Sequence, residues 1–217
     1  MIFERTFKRA INHKRVRRIK RDYGLVTRIR RKNKYRAVMM EGHEHSVAAN
    51  VVQRNFLDPN LILVDITEMK IMNGQKTYVF AMKNALTREI VGLNVSSKPS
   101  VSFVTDTMKS FLGSTKTKYT VHSDQGMHFT CGEYRSLLQQ WKATQSMSRK
   151  GNCLDNAPIE SFFGHLKDEL DYKRCRNIDE LRSELKSYVQ YYNYERPQWS
   201  LERKTPAEAR VQLGLVY

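Results

Sequence analysis

Asp65, Asp124 and Glu160 are the residues whose type and setting could do chemistry. Asp65 lies at the end of an apolar run, in Leu63-Val64-Asp65-Ile66-Thr67, where a charge is costly unless it is paired or binds a metal ion. Asp124 follows a short strand pattern, in His122-Ser123-Asp124-Gln125-Gly126, where a tight glycine turn sets side chains on the rim of a sheet. Glu160 falls in the first turn of a helix that begins near Ala157. Three converging carboxylates repel one another unless cations sit between them. Hard oxygen ligands in small number suit Mg2+, which keeps several waters and takes phosphate oxygens. Two such ions about 4 Å apart activate an attacking oxygen and stabilise a leaving one, the chemistry of in-line phosphoryl transfer. Read singly, Asp124 is equally a turn residue, and Glu160 equally a favourable charge at a helix N-terminus. Convergence is therefore what the fold must supply.

The elements around these residues have a clear order. Residues 61–66 are an apolar run interrupted only by Asp65, long enough for a buried strand. Asn73-Gly74 is a turn signal, and 77–82 and 89–95 are rich in β-branched and aromatic residues, so three strands form an antiparallel meander. A helix follows with Pro99 in its first turn, and Val101, Val104, Met108, Phe111 and Leu112 on one face. Residues 118–122 make a short fourth strand. Thr130 and Glu133 form a capping box for a helix with Tyr134, Leu137, Leu138 and Trp141 inside, and 143–146 make a fifth strand. Residues 148–156 are polar, contain Gly151 and read as a mobile loop before the Glu160 helix, which has Pro158 in its first turn. Asn177 with Glu180 is a capping box for a last long helix. Tyr191, Tyr192 and Trp199 read as core aromatics. The order β-β-β-α-β-α-β-α implies a mixed sheet flanked by helices. If the first and fourth strands are neighbours, one helix brings Glu160 beside both aspartates.

Charge divides the chain differently. Residues 1–36 carry 15 Lys or Arg against Glu4 and Asp22, a net +13 of the chain's +16. Such a segment points to a polyanion, and Lys14, Arg15, Arg17 and Arg18 on a short helix over 8–25 are candidate phosphate contacts. Ile11, Val16, Ile19 and Leu25 give that helix too little apolar surface for its own core, and Gly24 can end it. Residues 27–36 read as loose, and 37–54 as a linker whose His43-x-His45 lacks further metal ligands. Cys131, Cys153 and Cys175 suggest neither a disulfide framework nor a zinc site. No run is long enough to span a membrane and no secretory signal opens the chain, so a cytoplasmic, nucleoid-associated protein without a membrane partner is expected.

The combined motifs resemble bacterial insertion-sequence transposases of the DDE class, specifically the second-frame protein of two-frame elements, within the retroviral-integrase superfamily. The resemblance rests on Asp65-Ile66-Thr67, on Arg88-Glu89-Ile90-Val91-Gly92, on His122-Ser123-Asp124-Gln125-Gly126, and on Ser148 to Ala157 followed by Glu160. Thirty-five residues separate Asp124 from Glu160, the spacing of that family. Tyr192-Asn193-Tyr194-Glu195-Arg196-Pro197, Leu201 and Thr205-Pro206 match its C-terminal pattern. Ile62 stands where the family typically has Trp, and Asn84 where it often has Asp.

The resemblance implies a ribonuclease-H-like α/β core, a mixed five-stranded sheet whose first three strands are antiparallel. That core would occupy 55–217, with 177–217 as a helical extension and 1–36 as part of a helix-turn-helix-like DNA-binding region. It implies that Asp65, Asp124 and Glu160 ligate two Mg2+ ions, with Mn2+ able to substitute. Strand cleavage at element ends, followed by attack of the freed 3′-hydroxyl on target DNA, would follow. Lys167 lies about two helical turns after Glu160 and would meet a DNA phosphate. Arg149 and Lys150 are candidate DNA contacts, and Asn156 is either a contact or a helix N-cap. Expected partners are DNA, further copies of the chain, and the upstream-frame protein or its fusion. Two other readings remain at this point: a DNA-binding remnant that inhibits intact transposase, and a ribonuclease-H-like nuclease.

Overall fold

The computed structural model describes residues 2–26, 47–113 and 117–215, in two units, Met1–Glu44 and His45–Tyr217. The basic stretch 27–36 and His43-x-His45 lie outside the described residues. The described residues of the first unit form two helices, α1 (Ile2–Phe7) and α2 (His13–Asp22). The helix expected over 8–25 starts only at His13, because Asn12 Oδ1 accepts the Lys14 N–H at 2.9 Å and caps it. Gly24, at φ +62°, lies just beyond its end. No residue of α2 is buried, and Lys14, Arg15, Arg17 and Arg18 all face water.

The second unit is a five-stranded sheet of β1 (Leu61–Lys70), β2 (Lys76–Asn84), β3 (Ile90–Ser96), β4 (Thr120–Ser123) and β5 (Thr144–Met147). Its order is β3-β2-β1-β4-β5. The first three strands pair antiparallel, while β4 runs parallel to both β1 and β5. The meander turns at Asn73-Gly74, where Asn73 Oδ1 accepts the Gln75 N–H at 2.9 Å and Gly74 adopts φ +77°. Around the sheet are α3 (Val101–Leu112), α4 (Met127–Thr130), α5 (Gly132–Gln140), α6 (Ala157–Glu169), α7 (Ile178–Tyr194) and α8 (Pro206–Gln212).

Strand alternation splits the core into two clusters. On one face Ile62, Val64, Phe80, Met82, Val121 and Met147 pack with α3 and α5 through Val104, Met108, Tyr134 and Leu138. On the other, Leu61, Leu63, Val79 and Ala81 pack with α6 and α7 through Ile159, Phe162, Leu181 and Tyr192. Burying one such side chain stabilises the fold by roughly 1.5–3 kcal/mol. Asn193 of α7 bonds both the N–H and the C=O of Ile90 at 2.9 Å, so a side-chain amide docks that helix on the edge strand β3.

Several local expectations are corrected. Pro99 precedes α3, whose cap is Ser100, with Oγ accepting the Phe103 N–H. Thr130 ends α4 instead of capping α5; its hydroxyl bonds back to the Gly126 and Met127 carbonyls. Asn177 does cap α7, but Glu180 bonds the Arg176 N–H in place of the cap's own, so the box is incomplete. Tyr192 is core as expected, whereas Trp199 is 69% exposed beneath the Arg203 guanidinium. Part of the expected linker docks on the sheet: Val51 N–H donates to Ser146 Oγ at 3.1 Å, and Val52 is buried.

Candidate active site

Position along paired strands sets the site. Leu63 of β1 is in register with His122 of β4. Asp65 and Asp124 each lie two residues further on, at the ends of a parallel pair. Asp65 is not at the end of its own strand, as the sequence suggests; β1 continues to Lys70 along β2. It lies where β4 stops and β1 loses its parallel neighbour. Such a notch at the carboxyl end of a parallel strand is where open α/β sheets hold ligands.

Both aspartates are steadied by local backbone. Asp65 Oδ1 accepts the Ile66 N–H at 2.7 Å, and Asp124 Oδ1 accepts the Gly126 N–H at 2.9 Å. A Cβ on residue 126 would come within 2.9 Å of that same oxygen, so a larger residue there would push the Asp124 carboxylate aside. Asp65 is half-buried, while Asp124 and Glu160 reach the surface. Loss of hydration pushes the Asp65 carboxyl well above the usual range, and the charge of Asp124 pushes it further. The Ile66 N–H opposes that rise, Glu160 adds to it, and Lys167 opposes it. Glu160 is raised in the same way, first by desolvation and then by Asp124. The Asp124 carboxyl is raised by desolvation against the pull of the Gly126 N–H.

The three carboxylates therefore share one field and destabilise one another's charge. Among the described residues, no three His, Cys, Asp or Glu side chains stand close enough to ligate one ion jointly in this arrangement. The donor set is all carboxylate oxygen, which fits a hard divalent cation and would relieve the repulsion. On α6, Lys167 bonds the Thr67 hydroxyl on β1, two residues along the strand face from Asp65.

The loop expected to be mobile is tied down at one point. Asp155, fully buried, takes the Arg149 Nε and Nη2 at 2.9 Å, the Arg54 Nε at 2.7 Å and the Asn50 Nδ2 at 3.0 Å. The Arg149 hydrogen bonds, chiefly, hold the Asp155 carboxyl far below the usual carboxylate range, with burial opposing them. Arg149, expected on DNA, thus points its guanidinium into this loop, though it remains largely exposed; Lys150 is exposed. Asn156 is corrected: it is buried, makes no side-chain cap, and reaches the Val64 carbonyl at 3.4 Å. His122 lies beneath the loop, between Ser146 Oγ at 2.9 Å and Ser148 Oγ at 3.2 Å, and burial lowers its pKa. The sequence signal for Asp155 is an acid inside a short turn before a helix. Lys83 falls outside the strand expected over 77–82, whereas β2 runs on to Asn84.

Comparison with known proteins identifies the family and the fold. Integrase core domain families match residues 58–153 and 141–206. An uncharacterized transposase-like protein of Haemophilus influenzae is 38% identical, covering 93% of this chain and 94% of its own. The putative transposase InsK for insertion sequence element IS150 of Escherichia coli is 37% identical, covering 94% and 73%. The insertion element IS600 31 kDa protein of Shigella sonnei is 32% identical, covering 92% and 75%. Among solved structures, the catalytic core domain of BIV integrase superposes with a TM-score of 0.56 at 18% identity, over 72% of this chain and 97% of that one. The HTLV-2 integrase catalytic core in complex with magnesium gives 0.56 at 14%, over 70% and 97%. The fold is that of retroviral integrase cores, ribonuclease-H-like.

Proposed function

Because this chain belongs to the family of insertion-sequence transposases built on an integrase core domain, we propose that Asp65, Asp124 and Glu160 together hold divalent cations for phosphoryl transfer on DNA. The observation that carries this reading is the shared field of the three carboxylates where β4 leaves β1, with Lys167 beside them. When bound, two Mg2+ ions, or Mn2+ in their place, activate the attacking oxygen and neutralise charge on the leaving one.

The chain's own side chains do the positioning. Asp65 on a sheet strand is the rigid member, Asp124 is fixed by its turn, and Glu160 arrives on α6. The Lys167 ammonium, steadied by Thr67, is set to meet a DNA phosphate next to the carboxylates. Lys150 on the loop, and Lys14, Arg15, Arg17 and Arg18 on α2, supply sequence-independent phosphate contacts. In the first reaction water replaces one ester oxygen at phosphorus and frees a 3′-hydroxyl at the element end. In the second, that hydroxyl forms a new P–O bond with a target phosphate and a target 3′-hydroxyl leaves. Two ends processed together call for two active sites, hence a homo-oligomer on DNA.

The test is a labelled duplex carrying the element's terminal repeat, incubated with the protein, target plasmid and Mg2+. Wild type should release and join the labelled strand, and Glu160→Gln should do neither while still binding the duplex. Full joining by Glu160→Gln would sink the triad assignment. Hydrolysis of an RNA–DNA hybrid without any joined product would point to a nuclease instead.

A further inference from the structure

Lys83 is 2% exposed in the middle of a sheet, yet among the described residues no carboxylate pairs with it. Its Nζ donates to the Pro158 carbonyl at 2.8 Å and to the Tyr192 hydroxyl at 3.0 Å. The rings of Phe162 and Tyr192 face it at 5.9 and 5.5 Å. Burial, with Arg88 and Arg196 as the nearest charges acting on it, pushes its pKa well below that of an ordinary lysine. An apolar residue continuing the Val79, Ala81 series on this strand face would avoid the cost of burying an amine. The amine must do something that packing does not.

What it does is hold the start of α6. Pro158 is in the first turn of that helix, two residues before Glu160. Ile159 and Phe162 bury the turn among apolar side chains, but such contacts are non-directional and leave rotation and sliding along the helix axis open. A hydrogen bond to a backbone carbonyl removes that freedom. Lys83 lies on the same face of the sheet as Asp65, because Asp65 pairs with Ala81, its neighbour two residues away. The strand that flanks Asp65 thus also grips the turn that carries Glu160. The other side-chain hydrogen bond from this end of the helix to the sheet, among the described residues, is the long one from Asn156 to the Val64 carbonyl.

We propose that Lys83 is a positioning residue for Glu160, fixing the first turn of α6 so that the third carboxylate reaches the aspartate pair and completes the cation site. This rests on the triad reading above. Loss of the Lys83 bond should act on cation affinity far more than on folding. Side chains that orient ligands in this way typically contribute 10- to 100-fold in metal affinity.

The experiment is calorimetric titration of the full chain with Mn2+, alongside thermal unfolding and the Mg2+ dependence of strand joining. Lys83→Met keeps length and volume but has no donor. It should bind Mn2+ at least about tenfold more weakly, with a Tm equal to or above that of wild type, since a buried amine that pairs with no carboxylate among the described residues is removed. Its joining rate should recover towards wild type at saturating Mg2+. Should Lys83→Met not fold, Lys83→Leu, also without a donor, is titrated in its place. Tyr192→Phe, which spares the Pro158 bond, should change affinity less than about threefold on the same scale. Unchanged Mn2+ affinity with a lowered Tm would show a purely structural lysine and overturn the inference alone. Equal affinities for wild type and Glu160→Gln would overturn the triad reading, and this inference with it.

Discussion

On the α3 and α5 side of the sheet, Ile62, Val64, Phe80, Met82 and Val121 belong to one buried apolar cluster. On the α6 and α7 side, the same strands present Asp65, Thr67, Lys83 and His122 among Leu61, Leu63 and Ala81. Adjacent residues of one strand, such as Val64 and Asp65, thus face an apolar cluster on one side and the chemical groups on the other. The first face stabilises, and its tolerance is set by volume. The second holds groups whose burial opposes folding: an aspartate with a raised pKa, an amine without a counterion, and a histidine held below its usual range. Both faces carry core, but the chemical groups of β1, β2 and β4 lie on one of them, and period-two alternation keeps them off the other.

The sharpest way to break this comparison is to exchange activity for stability on the polar face. Asp65→Asn should lower strand joining on the order of 10⁴-fold, about 5.5 kcal/mol of barrier, with no fall in Tm, because it removes repulsion from Asp124 and Glu160. A large drop in Tm would mean that Asp65 is structural. The converse is Phe80→Ala on the apolar face. It should cost about 4 kcal/mol in a denaturant titration, while joining per folded molecule stays near wild type.

A smaller effect tests the loop that links the two strands' chemistry to α6. Asp155→Asn should lose about 2 kcal/mol by weakening charge-assisted bonds to Arg149 and Arg54. Since the folded Asp155 carboxyl is held below its unfolded value, the stabilisation is complete above the usual carboxylate range. The Tm gap between wild type and variant should stay constant down to about pH 5 and close as acid protonates Asp155. A gap that widens in acid would contradict the assignment. Smallest is Asn177→Ala, which removes the α7 cap and should cost about 1 kcal/mol by chemical denaturation without touching activity.

Much of the scaffold could be read from residue order. Residues 61–64 announce β1 through an unbroken apolar run, Asn73-Gly74 marks the first hairpin, and Pro158 marks the start of α6. Capping was less legible. Thr130 and Glu133 have box spacing, yet Thr130 closes the preceding turn, because a hydroxyl bonds whichever carbonyl the backbone brings near. Trp199 looked like core, but its place beyond the end of α7 leaves it at the surface. Lys83 was invisible because one misplaced strand end removed it from the inward series.

The identity of the three acids, their order, the thirty-five residues between the last two and the basic charge of the first 36 residues are properties of the chain alone. These determined which chemistry to look for. Only tertiary structure decided that β4 lies beside β1, that β1 runs past Asp65, and that Asp155 and Lys83 anchor the loop and helix around Glu160. The physical reason is range. Local propensity and periodicity act over a few residues, whereas a shared electrostatic field and a buried amine's choice of carbonyl depend on atoms brought together from distant parts of the chain.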